Sequence, residues 1–282
     1  MRTLLLATVV LSGAPPAAQQ TPVFTARVEG VRVDALVTGG DRRPVKGLNP
    51  EDFEIKDNGV LQKVDLVTFG DVALNVVLAF DVSDSVAGAR MERLRLASRA
   101  LTGLLNPADQ ASLVTFDRVV SRPCPLAVNV ACLDTALASP KPGRETALID
   151  GAFAGMMVGE SDVGRSLLIV FSDGIDTASW LSADRVLDLA RRSDVVVYAV
   201  ASRGTRPDFL KDLTSLSAGR LYEVERTDDV STIFKNVLEE FRGRYLLTYT
   251  PNGVTREGWH KLEVKVKRGG ASVKARPGYQ GS

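Results

Sequence analysis

The sequence predicts an α/β fold: a doubly wound, mostly parallel sheet, with a small accessory β module formed by both flanks of the chain. Three observations predict it. Continuous apolar runs, "ALNVVLAF" (73–80), "SLLIVF" (166–171) and "DVVVYAV" (194–200), read as strands buried on both faces. Between them lie segments with apolar residues at helical spacing. Before position 71 and after position 241 the apolar period falls to two, as in strands with one face in water.

The first residues stand apart from that fold. Arg2 gives a positive start, Leu4 to Leu11 is apolar, and Ser12 to Gln20 is small, Pro-rich and polar. This is the pattern of a secretory leader, too short in its apolar part to span a bilayer, with cleavage expected near Ala18. No Cys lies at the junction to take a lipid. The mature protein is therefore expected to be exported, periplasmic or extracellular, with no membrane span. A formal net charge of +1 over 282 residues offers no field for nucleic acid or an anionic membrane.

Residues 19–70 read as β. Val31, Val33, Ala35 and Val37 alternate with Arg32, Asp34 and Leu36, and "DFEIKDNGVLQKV" is a hairpin turning at Asn58-Gly59, a pair suited to a type I′ turn. Residues 71–241 read as the α/β domain. After "ALNVVLAF" comes a helix carrying Met91, Leu94, Ala97, Leu101 and Leu105, then the strand "ASLVTFD" and a short edge strand in "VVSRPCPL". Helices are expected around 130–138 and 146–158, flanking "SLLIVFSD" with a further helix in "ADRVLDLARRS". The strand "DVVVYAV", a helix over 207–217 opened by Pro207, and the strand "GRLYEV" complete the repeat. The last helix, over 228–241, carries Val230, Ile233, Phe234, Val237, Leu238 and Phe241 behind a Thr227 cap. Residues 242–282 return to β in "RYLLTYT", "HKLEVKVK" and "ASVKARPGY", and are expected to pack with the N-terminal segment.

Two cysteines, Cys124 and Cys132, are either a disulfide of an oxidising compartment or two separate thiols. The residues leave both open.

Chemistry concentrates at strand ends. "LAFDVSDSV" (78–86) closes a buried strand with Asp81, Ser83 and Ser85 on alternate positions. "FSDGIDT" puts Asp173 just beyond another such strand, and "GRETALIDG" puts Thr146 after a Pro/Gly loop. In open α/β sheets ligands sit beyond the carboxyl ends of the strands. Carboxylate and hydroxyl oxygens there suit Mg²⁺, Mn²⁺ or Ca²⁺ better than zinc. Asp81, Ser83 and Ser85 alone would pass for a polar loop with a helix cap; Thr146 and Asp173 tip the balance to a metal.

These three stretches, in this order, resemble the signature of the von Willebrand factor type A domain, a Rossmann-like fold with a metal-ion-dependent adhesion site. The flanks "RPVKGLNPEDFEIKDNGVLQKV" and "YLLTYTPNGVTREGWHKLEVKVKRGGASVKARPGY" look like the exported bacterial proteins called VWFA-related. The resemblance implies a divalent cation, Mg²⁺ foremost and Mn²⁺ or Ca²⁺ as alternatives, held by Asp81, Ser83, Ser85, Thr146 and Asp173. It implies that the two Asp reach the metal through water while the Ser and Thr ligate it more directly. It further implies a protein partner presenting an Asp or Glu. With only two carboxylates offsetting its charge, such an ion keeps a position for one more anionic ligand.

Other residues are weighed against structural roles. Asp117 and Asp176 could back the site from outside the ligand set, although a turn or cap suits them as well. Asp84 is expected in water and Asp150 on a helix surface. His260, the single histidine, is expected on the surface or partly packed, because no Gly-x-Ser-x-Gly elbow accompanies it. A hydrolase with a strand-end Asp-x-Asp is disfavoured, since Ser83 takes the second Asp's place; no Gly-x-Gly-x-x-Gly supports a dinucleotide. The sequence thus favours an exported, non-enzymatic binding protein. A structural module of the cell envelope with a loop-stabilising metal is the alternative, and a metal-dependent hydrolase a distant third.

Overall fold

The computed structural model describes residues 30–70, 72–84, 88–138, 143–161, 163–203, 207–225 and 230–281. The leader expected over 1–18, Ser85 and the Thr227 cap lie outside the described residues.

The central sheet has six strands. In chain order they are β5 (Leu74–Asp81), β6 (Gln110–Phe116), β7 (Val120–Ala127), β8 (Arg165–Ser172), β9 (Val196–Ser202) and β10 (Leu221–Val224), arranged in space as β10-β9-β8-β5-β6-β7. All neighbours are parallel except the edge hairpin β6–β7. Every residue of β5 and β8 is buried. The alternation within β5 shows why its run is continuously apolar. Val76, Leu78 and Phe80 enter one core, and Val77 and Ala79 the other.

Helices cover both faces. On one lie α1 (Ala89–Thr102), α2 (Ala131–Ala138) and α6 (Val230–Arg242), whose Leu94, Leu137, Phe234 and Phe241 pack on that face of β5 and β8. On the other lie α3 (Leu148–Gly159), α4 (Ala183–Arg192) and α5 (Asp208–Leu216), contributing Leu148, Met156, Val186, Leu210 and Leu213. A disulfide joins Cys124 of β7 to Cys132 of α2.

Helix α3 starts two residues later than the periodicity suggests, at Leu148, which leaves Thr146 in the preceding loop. Its glycines let it lie close to the sheet. A Cβ on Gly151 would stand 2.3 Å from the Phe116 ring, and one on Gly155 2.7 Å from Leu168.

The flanks build two four-stranded antiparallel sheets around one core. The first has the order β13-β1-β11-β4, from β1 (Val31–Thr38), β4 (Val64–Phe69), β11 (Tyr245–Tyr249) and β13 (Ser272–Lys274). The second has the order β14-β12-β2-β3, from β2 (Phe53–Asp57), β3 (Val60–Gln62), β12 (Gly258–Val266) and β14 (Gly278–Gly281). Both sheets therefore interleave strands from the two ends of the chain: Val31 pairs with Tyr249, and Ile55 with Val264. The β2–β3 turn has positive φ at Asn58 (48°) and Gly59 (83°), the type I′ conformation that the Asn-Gly pair favours. The segment "ASVKARPGY" forms two short strands instead of one, split at Pro277, which has no N–H for a ladder.

Three buried arginines tie this module to the central domain. Arg165, which opens β8, pairs with Asp34 of β1 and donates to the Phe241 and Arg244 carbonyls, both at 3.3 Å. Arg244 donates to the Tyr198 hydroxyl (2.9 Å) and the Ala218 carbonyl (2.6 Å). Arg276 donates to the Ser193 carbonyl (3.1 Å) and meets Asp194 at 3.1 Å.

His260, expected on the surface or partly packed, is instead fully packed. It is 1% exposed, its Nδ1 lies 2.8 Å from Asp57 Oδ1, and its ring stacks on Tyr279. The tyrosine hydroxyls of Tyr249 and Tyr279 donate to Asp57 Oδ2, each at 2.9 Å. Burial, then Asp57, pushes the Tyr249 hydroxyl far up, and burial takes Tyr279 to about 12, so both remain donors at neutral pH. This is a packed polar core of the β module, and it accounts for the lone histidine without catalysis.

Candidate functional site

The sheet order reverses at β5 and β8: from β5 the chain goes first to β6 on one side, and later to β8 on the other. Such a switch point opens a crevice beyond the carboxyl ends of the two strands. Asp81 is the last residue of β5, and Asp173 follows Ser172, the last residue of β8.

Asp81 is fully buried. Its Oδ1 accepts the Ser83 N–H at 2.9 Å, and its Oδ2 accepts the Ser172 hydroxyl at 2.9 Å. Burial raises its carboxyl above the ordinary value; the bonds from Ser83 and Ser172 pull it down, and the nearby Asp173 charge adds to the rise. Ser172 itself accepts the Gly174 N–H at 3.1 Å, and Gly174 takes φ +91°, the sharp turn its lack of Cβ permits. The Asp173 carboxylate, half-buried, caps the same turn through the Ile175 N–H (3.2 Å).

Ser83, 2% exposed, forms a bridge with Gly143, and the Asp84 N–H donates to the Gly143 carbonyl at 2.8 Å. This brings the "GRETAL" loop against the β5 loop. The approach is close, since a Cβ on Gly143 would stand 2.4 Å from Asp117 Oδ2 and push that side chain aside. Asp117 serves as the post of that loop: its carbonyl accepts the Ala147 N–H at 2.6 Å, and its carboxylate caps the β6–β7 turn at Val119 (2.7 Å). Thr146 is 6% exposed, and its hydroxyl makes no hydrogen bond among the described residues. Its backbone is clasped by Thr177, whose Oγ1 accepts the Thr146 N–H (2.8 Å) and whose N–H donates to the Thr146 carbonyl (2.9 Å).

Further bonds continue that clasp. Asp176 Oδ1 accepts from the Ile149 N–H (3.2 Å) and the Ser179 hydroxyl (2.5 Å). Asp150, expected on a helix surface, lies in the first turn of α3 and accepts the N–H groups of Trp180 and Leu181, both at 2.9 Å. The loop bearing Asp173 and the one bearing Thr146 are thus fastened to each other. Sequence reasoning places Asp176 and Asp117 near the site, while Ser172, Thr177 and the clasping role of Asp150 escape it. A Ser directly before Asp173 is the one signal that could have flagged the first; the other two need the loop geometry.

Backbone and side-chain bonds thus bring together, beyond the carboxyl ends of β5 and β8, the loops that carry Asp81, Ser83, Thr146 and Asp173; Ser85 lies outside the described residues. Four oxygen-bearing side chains, two of them carboxylates with one fully buried, fit a hard divalent cation. Burial foremost, with a smaller contribution from the Asp173 charge, raises the Asp81 carboxyl. No group of three or more His, Cys, Asp or Glu side chains apt for a metal occurs among the described residues. The donors are hydroxyl-rich, unlike a zinc centre. A cleft of about 500 Å³ lies at the other end of the sheet against β1, where Arg165–Asp34 and Arg32–Asp194 already pair. No described helix is long and apolar enough to cross a membrane.

Comparison with known proteins now adds the family. Curated protein sequences give no match. Among solved structures the chain is similar to proximal thread matrix protein 1 from the mussel byssus, with zinc occupying its MIDAS motif. The identity is 17% and the TM-score 0.54, over 64% of this chain and 48% of that one, so the chain spans about half its length. It is also similar to an aerotolerance-related membrane protein from Bacteroides fragilis (15% identity, TM-score 0.49, 60% of this chain and 98% of that one). A third likeness is to the PilB minor pilin from Streptococcus sanguinis (12% identity, TM-score 0.49, 62% of each chain). At 17% identity the likeness to the byssus protein speaks for the fold alone. The model of the von Willebrand factor type A domain matches residues 75–236, more than half of the chain, from the second residue of β5 into α6. The chain belongs to the von Willebrand factor type A domain family.

Proposed function

We propose that this protein is an exported, non-enzymatic binding protein that holds a divalent cation, Mg²⁺ foremost, through Asp81, Ser83, Ser85, Thr146 and Asp173. Through that ion it engages an Asp or Glu of a protein partner. The observation that carries this reading is the β5/β8 switch point, where the fully buried Asp81 carboxylate accepts the Ser172 hydroxyl and Asp173 follows directly on Ser172. When bound, the ion supplies a positive centre that attracts a carboxylate. The chain's own residues do the rest. Asp81, fixed by Ser83 and Ser172, neutralises half of a divalent charge, and Asp173 neutralises the other half. Thr146 and the serines add neutral oxygens, so the site retains appetite for one more anion. The zinc-occupied motif of the byssus protein, on a shared fold, supports the same placement of a metal here.

Calorimetric titration of the mature protein with Mg²⁺ and Mn²⁺ tests it, with Asp81→Ala alongside. Binding by the wild type that vanishes in the variant is expected. Equal heats for both proteins would sink the proposal.

A further inference from the structure

The loop after β8 leaves two large apolar side chains in water. Trp180 is 95% exposed and Ile175 53% exposed, and both stand on the loop that carries Asp173. A large apolar side chain left in water forgoes roughly 1.5–3 kcal/mol that burial would contribute. Here the exposure is held in place by the backbone. Asp150 accepts the N–H groups of Trp180 and Leu181, Ser179 bonds Asp176 and the Asp150 N–H (3.1 Å), and Asp173 accepts the Ile175 N–H. The same loop grips Thr146 through Thr177. Trp180 and the metal-holding oxygens are therefore parts of one fastened unit.

We propose that Trp180 and Ile175 form an apolar docking surface beside the cation. The partner segment it fits has an Asp or Glu followed or preceded, within a few residues, by a large apolar side chain. The acid takes the ion and the apolar group covers Trp180. This rests on the cation reading above and names the partner's chemistry. Two features argue for it. A tryptophan has only two side-chain torsions to fix, and here its backbone is already pinned, so little conformational freedom is lost on binding. The surroundings also complement an acid: Arg144, exposed two residues before Thr146, makes no ion pair among the described residues and adds positive charge beside the crevice.

The test uses the full mature chain and random dodecapeptides displayed on phage, selected in Mg²⁺ and eluted with EDTA. Eluted peptides are expected to carry an acidic residue with Leu, Phe, Met or Trp nearby. Synthetic copies should bind Trp180→Ala at least about tenfold more weakly than wild type, and Trp180→Phe nearly as well. Mn²⁺ affinity by calorimetry should be equal in wild type and both variants. Peptide binding should also blue-shift tryptophan emission in the wild type and leave it unmoved in Trp180→Ala, where Trp259 is the only indole left. Peptides that bind Trp180→Ala as tightly as wild type overturn the docking surface, as does a failure to enrich any Mg²⁺-dependent peptide on a chain that binds Mn²⁺. Absence of Mn²⁺ binding by the wild type overturns the cation reading, and this inference with it.

Discussion

Asp81 and Asp57 are both fully buried carboxylates, yet their surroundings treat them differently. Asp57 has donors on both oxygens from Tyr249, Tyr279 and His260. Asp81 has two donors, Ser83 and Ser172, and a like charge beside it. For Asp81 the folded state binds the proton more tightly than the unfolded chain does. The metal-free protein is thus most stable, as far as this group goes, below the ordinary carboxylate pKa, and loses that contribution as pH rises through the raised value. Asp81→Asn keeps the shape and removes the charge. In EDTA at neutral pH the variant is expected to melt at or above the wild-type temperature, and in Mg²⁺ below it, because only the wild type gains from the ion. Asp57→Ala should instead cost about 3 kcal/mol or more in urea denaturation, since three buried donors lose their acceptor. Asp81 could be read from its sequence because a carboxylate ending an apolar run has no local excuse. Asp57 could not: it sits in an ordinary "KDNG" turn, and its partners come from β11, β12 and β14, about two hundred residues on.

At the level of elements, the candidate site depends on two loops and the start of α3. Thr177 is a positioning residue that fixes the backbone of Thr146 from the loop after β8. Thr177→Val removes the acceptor for the Thr146 N–H at little cost to the core. It should weaken Mn²⁺ binding about tenfold, in line with residues that orient metal ligands, while the melting temperature moves only a little. Gly151→Ala probes the seat of α3. Its Cβ would press on the Phe116 ring, so the helix must lift, and a loss of roughly 1–3 kcal/mol in thermal unfolding is expected. Strands β5, β8 and β9 were legible because full burial makes their runs apolar without interruption. The start of α3 was not. The periodicity includes Thr146, but the contacts of its backbone with Thr177 and Ala178 hold it out of the helix, and such long-range bonds leave no trace in spacing.

On the scale of the molecule, the β module belongs to both ends of the chain, as the matching period of the flanks suggested. That they would make two sheets around one core, with β1 between β11 and β13, was beyond the pattern. Alternation tells which face of a strand is buried; it does not say which strand lies alongside. A chain ending at Arg242 would strip both neighbours from β1 and bare Val33, Ala35 and Val37. Limited proteolysis of that truncation should cut rapidly within residues 30–70, while the full-length protein resists there.

Val31 has to find Tyr249 across most of the polypeptide. Joining ends so distant is slow for a bare coil, and the intervening domain shortens the journey. Arg165, alongside Leu74 at the entry to β5, also bonds the carbonyl of Phe241 at the exit of α6, so both doorways stand together once that domain has formed. The order of assembly follows. Strands β1 and β4 find their partners only in β11 and β13, and β2 its second in β12, so residues 31–69 stay unsealed, sticky and open to proteases until residues 245–274 zip them shut.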